Sequence, residues 1–168
     1  METFIIVFVV LSLIGSAMWM MPTRREKEQA KLRMKARQEG FQVQLVRLTA
    51  PRAQGELDEE TRTVPGYRLL RTNIERRLAE ELPAWQVFRV TSIANEGLPS
   101  DWSWKLGERV LDTEQLAVLE QVLSGLPRDV VALESTPIQV TAFWREDSGD
   151  ESLDKIKVQL NRLMEAKL

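Results

Sequence analysis

Apolar and polar positions alternate along this chain with three different periods. The first is no alternation at all: Phe4 to Met21, FIIVFVVLSLIGSAMWMM, carries no charge, and only Ser12, Gly15 and Ser16 depart from apolar character. Eighteen helical residues cover about 27 Å, close to the ~30 Å of a bilayer's hydrocarbon core, so the run predicts one transmembrane helix. Trp19 suits the membrane interface and Pro22 interrupts the helical ladder. Thr23 and Glu26 have the spacing of a capping box, opening a basic helix that Gly40 would stop.

Beyond Gly40 the pattern shortens to a period of two. GFQVQLVRL, from Gly40, reads as a strand that Pro51 ends, and Pro51 to Gly66, rich in proline, glycine and charge, reads as a loop. Thr72 with Glu75 predicts a second capped helix, carrying Ile74, Leu78 and Leu82 on one face. AWQVFRVTS is a second strand, followed by a loop from Asn95 to Gly107. Asp112 and Gln115 cap a helix bearing Leu116, Leu119, Val122 and Leu123, closed by Gly125 and Pro127. DVVALESTPIQVTAFWRE divides at Ser135 to Pro137 into a hairpin. Ser148 and Glu151 predict a cap for a last helix, with Leu153, Ile156, Leu160 and Leu163 facing inward. The pattern implies an α+β class: an N-terminal single transmembrane helix, then a small, mostly antiparallel sheet backed by amphipathic helices. The expected divisions are an anchor at 1–22, a basic juxtamembrane helix at 23–40 and a folded α+β domain at 41–168.

Charge then orients the chain. Positions 1–37 hold seven basic and three acidic side chains, net +4, while 38–168 hold sixteen basic and twenty-two acidic, net −6. Positive charge follows the apolar run and does not precede it, which favours a retained anchor over a cleaved signal peptide. Basic residues stay on the cytoplasmic side, so the expected placement is a bacterial plasma (inner) membrane, single-pass, N-terminus out and domain cytoplasmic. Arg24, Arg25, Lys27, Lys31, Arg33, Lys35 and Arg37 are the candidates for contact with lipid headgroups. The acidic domain disfavours nucleic acid as a partner. Ser12, Gly15 and Ser16 form a small-residue face through which another helix, or a second copy in a homodimer, could approach closely.

The chain has neither cysteine nor histidine. Disulfides, thiolate nucleophiles, imidazole bases and the usual zinc, copper and haem ligands are thereby removed. No phosphate-binding glycine loop, G-x-S-x-G or G-x-G-x-x-G occurs, so no catalytic residue, cofactor or metal ligand is nominated. Asp58, Glu59 and Glu60 read as a solvated acidic run, and Asp147 to Glu151 as a turn into a helix and not a calcium loop. Trp102 and Trp104 are the candidate recognition residues, being large rings two positions apart on a loop, with burial in the core as the competing reading.

The expected function is therefore a non-enzymatic accessory or scaffold protein whose domain binds a partner in a membrane complex. A different class, a small-molecule sensor or enzyme, would use the loop of Trp102 and Trp104 as a pocket wall. The succession of an apolar run, Met21-Pro22-Thr23-Arg24-Arg25, a basic helix and Gly40-Phe41-Gln42-Val43 resembles the start of the YajC family, accessory to the preprotein translocase. That resemblance implies a translocase accessory protein with a span, a proline and basic run and a β-domain. It extends to Leu48, beyond which the chain departs from the family pattern.

Overall fold

The computed structural model describes residues 2–19, 23–72, 75 and 81–168. The chain forms two compact units, 1–32 and 33–168. In the first lie α1 (Glu2–Trp19) and the opening turns of α2 (Arg24–Gln38). Thr23 caps α2 as its spacing predicts: its amide donates to the Glu26 carboxylate at 2.6 Å, and the Glu26 amide donates back to the Thr23 hydroxyl at 3.3 Å.

The expected membrane anchor is not supported. Among the described residues, no helix is long and apolar enough to cross a membrane. The sequence count depended on Met20 and Met21 extending the helix, and both lie outside the described residues. Within the described residues α1 is apolar from Phe4 to Trp19. Its apolar length is thus about 24 Å against the ~30 Å a bilayer requires. The transmembrane, single-pass and bitopic reading is withdrawn. With it go the placement in a plasma membrane, the outward N-terminus and the cytoplasmic domain.

The second unit is an α+β domain. Its strands are β1 (Gln42–Thr49), β2 (Thr61–Leu70), β3 (Trp85–Phe88), β4 (Ser103–Leu106), β5 (Val130–Ser135) and β6 (Gln139–Trp144). Its helices after α2 are α3 (Thr113–Gly125) and α4 (Asp150–Glu165). The strands form one sheet in the order β1-β2-β6-β5-β3-β4, every neighbour antiparallel.

Register divides the sheet into two faces. Tyr67, Ala142, Leu133 and Val87 lie in one cross-strand row, with Leu69, Val140, Ser135 and Trp85 in the next. Onto this face fold Leu119, Val122 and Leu123 of α3 and Leu153, Ile156, Leu160 and Leu163 of α4, all fully or almost fully buried. α4 packs on β6, and α3 on α4. Burying these seven apolar side chains contributes about 1.5–3 kcal/mol each. The opposite face carries a second cluster, Leu48, Val64, Phe88, Ala132 and Phe143.

Three local predictions change. The stretch read as loop up to Gly66 contains the first half of β2, because Pro65 falls just before pairing with β6 begins at Gly66 and needs a partner on one side only. Gly66 is required there: a Cβ would stand 3.1 Å from the Phe143 ring and 3.3 Å from the Thr141 methyl. The loop holding the two tryptophans supplies β4 as the sheet edge. Ser148 does not cap α4; Gly149 occupies that position with no side-chain bond, and Ser148 turns to Asp129 instead. By contrast, Asp112 and Gln115 make the full reciprocal box, at 2.8 and 3.0 Å. The helix expected after Thr72 falls on 73–80, which apart from Glu75 lie outside the described residues.

Candidate functional site: an arginine-rimmed apolar cleft

The second face of the sheet does not close completely. Leu48, Ala50, Val64, Phe88, Val90 and Val131 floor a cleft of about 100 Å³. Its rim is charged: Arg62 on β2, Arg89 just past β3, Arg145 just past β6, and Glu60. The rim has a reason in register, because Arg62 pairs with Leu48 and therefore stands on the same face as the apolar floor. Arg89 and Arg145 follow the last residues of their strands, where the chain leaves the sheet.

The three arginines differ in how they are held. Arg62 is bonded to Glu60, both half in solvent. Arg145 stands 3.6 Å from Asp147, also well exposed. Arg89 lies with its guanidinium carbon 4.8 Å from the centre of the Trp102 ring. Its Nε is buried without a hydrogen-bond partner among the described residues. Burial pulls its affinity for a proton below the ordinary arginine value, partly offset by Asp101 and Asp129. The loops that follow Ala50 and Val90 are bonded to each other: the Gln54 amide donates to the Thr91 carbonyl at 2.9 Å, and the Ser92 hydroxyl to the Arg52 carbonyl at 2.7 Å.

Two buried carboxylates fix the turn that carries Arg145. Asp129 accepts from Trp144 Nε1 at 2.6 Å, from the amides of Asp147 and Ser148 at 2.9 and 3.0 Å, and from the Ser148 hydroxyl at 2.8 Å. Burial alone would raise its pKa, but the bonds from Ser148, Trp144 and the backbone prevail and hold it below the ordinary aspartate value. Glu146 has a fully buried side chain in the left-handed backbone region, at φ 61°. It takes both forks of Arg33, at 2.7 and 2.8 Å, and the Tyr67 hydroxyl at 2.6 Å. The Tyr67 hydroxyl is pushed far up, first by burial and then by its bond to Glu146. Glu146, the neighbour of Arg145, therefore also ties the last turns of α2 to the sheet.

The candidates from sequence are distributed differently. Trp102 and Trp104 are 1% and 3% exposed. Trp104 meets Trp85 edge-on at 6.3 Å and donates to the Glu96 carbonyl at 2.9 Å, while Trp102 lies under Arg89. Trp102 and the Arg89 guanidinium stacked on it also wall a second, more polar depression of about 170 Å³, with Asp101, Leu123, Leu126 and Arg128. Ser12 and Gly15 are exposed on α1, and the side chain of Ser16 lies outside the described residues. Of the basic series, Arg24, Arg25, Lys27, Lys31 and Arg37 are exposed. Arg33 is committed to Glu146, and Lys35 lies 3.9 Å from Glu39 and 3.5 Å from Asp154. The cleft itself was not nominated from sequence. The only signal was alternation in which an arginine and a valine share a strand face, as Arg62 and Val64 do.

Among the described residues, no group of three acidic side chains is placed to hold a metal ion. No protein-family model, curated protein or solved structure matches the chain.

Proposed function

We propose that this chain is a non-enzymatic binding protein: its α+β domain docks a partner protein, and α1 supplies a second, wholly apolar contact. The observation that carries the reading is the exposure of α1 around its whole circumference. Phe4 is 86% exposed and Phe8 73%, with Ile5, Leu11, Leu13 and Ile14 all above half. A helix apolar on every side is stable in water only when something covers every side. Six such side chains at about 1.5–3 kcal/mol each are a large driving force for association. The domain supports the reading by its chemistry: its buried titratable groups, Asp129, Glu146 and Tyr67, are saturated by hydrogen bonds and hold structure together. None of them is poised on a cleft as an acid, base or nucleophile would be.

The test is affinity purification of the tagged chain, followed by size determination and mass spectrometry of what co-purifies. A stoichiometric complex is expected that Leu11→Arg or Ile14→Arg in α1 disperses while the domain's unfolding midpoint stays unchanged. A chain that migrates alone, or a complex indifferent to both substitutions, would overturn the reading.

A further inference from the structure

The sheet has two edges, and they are finished differently. β4, at one end of the strand order, is only four residues long, its pairing with β3 shifts register between Gln86 and Val87, and its Lys105 reaches Glu59 at 2.7 Å. A short strand, an irregular register and a lysine are devices by which natural sheets keep an edge from pairing with another chain. β1, at the other end, has none of them. It runs eight residues in unbroken register with β2, contains no proline, glycine or lysine, and carries a single charge, Arg47. Its main chain bonds to β2 on one side, and among the described residues no other group bonds to it. Leu45, in the middle of the strand, is 59% exposed.

An open edge presents a row of main-chain donors and acceptors, and another extended strand is what pairs them all. β1 is complementary to itself. In an antiparallel pair, residues directly opposite share a face of the sheet, so two copies related by a two-fold axis through Leu45 keep their helices on the same side. Leu45 then meets Leu45 of the second copy, Val43 meets Arg47, Gln44 meets Val46 and Gln42 meets Leu48. The two Arg47 side chains stand four residues apart along the strands, about 13 Å, beyond the ~8 Å over which charges act in physiological salt. An axis through Val46 would set Leu45 against Arg47, and one through Gln44 would leave Arg47 to Thr49 unpaired. The apolar contact and the longest overlap both select Leu45.

We infer that β1 joins β1 of a second copy of this chain in an antiparallel pair centred on Leu45, making one continuous sheet from two domains. This contact is separate from docking through α1 and does not depend on it.

Sedimentation of the full-length chain carrying Ile14→Arg, which removes the contribution of α1, is expected to show a dimer that dissociates on dilution. Because the axis passes through position 45, Leu45→Lys and Leu45→Glu each set like charges directly opposite, and each should weaken the dimer about tenfold or more. Mixed in equal amounts, the two variants should pair again. The chain has no cysteine of its own, so Leu45→Cys under mild oxidation should give a covalent dimer on a non-reducing gel, whereas Leu57→Cys, at a position 91% exposed, should not. Should either charged variant fail to fold, the two cysteine variants still decide. A monomer at every concentration, a dimer indifferent to Leu45→Lys, charged variants that stay apart on mixing, or equal cross-linking through Leu57→Cys would overturn the inference. A dimer seen only with α1 intact would also overturn it and leave the docking reading standing.

Discussion

Replacing Tyr67 by phenylalanine removes one oxygen from the interior and leaves the ring's packing in place. That ring meets Phe41 at 5.8 Å and Trp144 at 5.1 Å, both edge-on, and phenylalanine keeps both contacts. What goes is a 2.6 Å hydrogen bond to a carboxylate whose side chain has no solvent exposure. A bond to a charged group contributes about 1.5–3 kcal/mol, and no water can take the place of the lost donor without opening the site. At about 4 °C per kcal/mol for a domain of this size, the melting temperature should fall by about 6–12 °C. Glu146→Gln is the harsher change, because an amide –NH₂ would face the part-buried fork of Arg33; a loss greater than that of Tyr67→Phe, though short of the about 3–5 kcal/mol of a fully buried pair, is expected. The double variant should lose less than the sum, since without the carboxylate the Tyr67 hydroxyl has no charge to serve, and a coupling of about 1–2 kcal/mol should remain. Urea unfolding of the full-length chain in mild detergent, followed by tryptophan fluorescence, measures all four corners of the cycle. A Tyr67→Phe loss under about 0.5 kcal/mol, or strict additivity, would refute the view that Glu146 is the knot joining α2 to the sheet.

Other expectations concern acid, close packing and the core. Because hydrogen bonds hold Asp129 below its ordinary 3.8, its contribution is complete above that value and is lost as pH falls through the lower folded value. Asp129→Asn should therefore lower stability at neutral pH and flatten the decline below about pH 4, read from unfolding midpoints across pH; an unchanged acid limb would count against the assignment. Gly66→Ala forces the Phe143 ring to move and should cost about 1–3 kcal/mol, part of it regained by adding Phe143→Leu; the same unfolding assay reads both. Gly107→Ala should be worse, since φ is +80° and the new Cβ would stand 2.9 Å from the Ala84 carbonyl oxygen, and failure to recover folded protein is the expected readout. Leu160→Ala, at a fully buried α4 position, should cost about 2–5 kcal/mol by thermal melt.

Much of the helical face was legible because its signals are local. The steps of three and four through Leu153, Ile156, Leu160 and Leu163 encode one stripe, and that stripe is buried. The caps at Thr23 and Asp112 were readable for the same reason, each needing two side chains three residues apart. β2 was hidden because proline and glycine report on backbone preference alone, whereas Pro65 and Gly66 are set by what lies across the sheet: an unpaired side and the Phe143 ring. Ser148 shows the converse, a plausible local cap lost to a distant acceptor, Asp129, nineteen residues earlier. The tryptophans looked like a pair because they are two residues apart, but one ends under an arginine and the other against Trp85. The cleft draws its walls from four strands and their flanking loops, so no window of sequence contains it.

The turn after β6 also sets a clock. The amides of Asp147 and Ser148 sit in an irregular segment, where backbone hydrogens commonly trade with solvent quickly because local opening is easy. Here their acceptor is the buried carboxylate of Asp129, which also holds Trp144. Releasing either amide removes one of the bonds that keep this carboxylate in its buried place beside the Trp144 indole. Their deuterium uptake should therefore run slower than that of the neighbouring turn amides, and two turn hydrogens would time the loosening of Asp129 from its site.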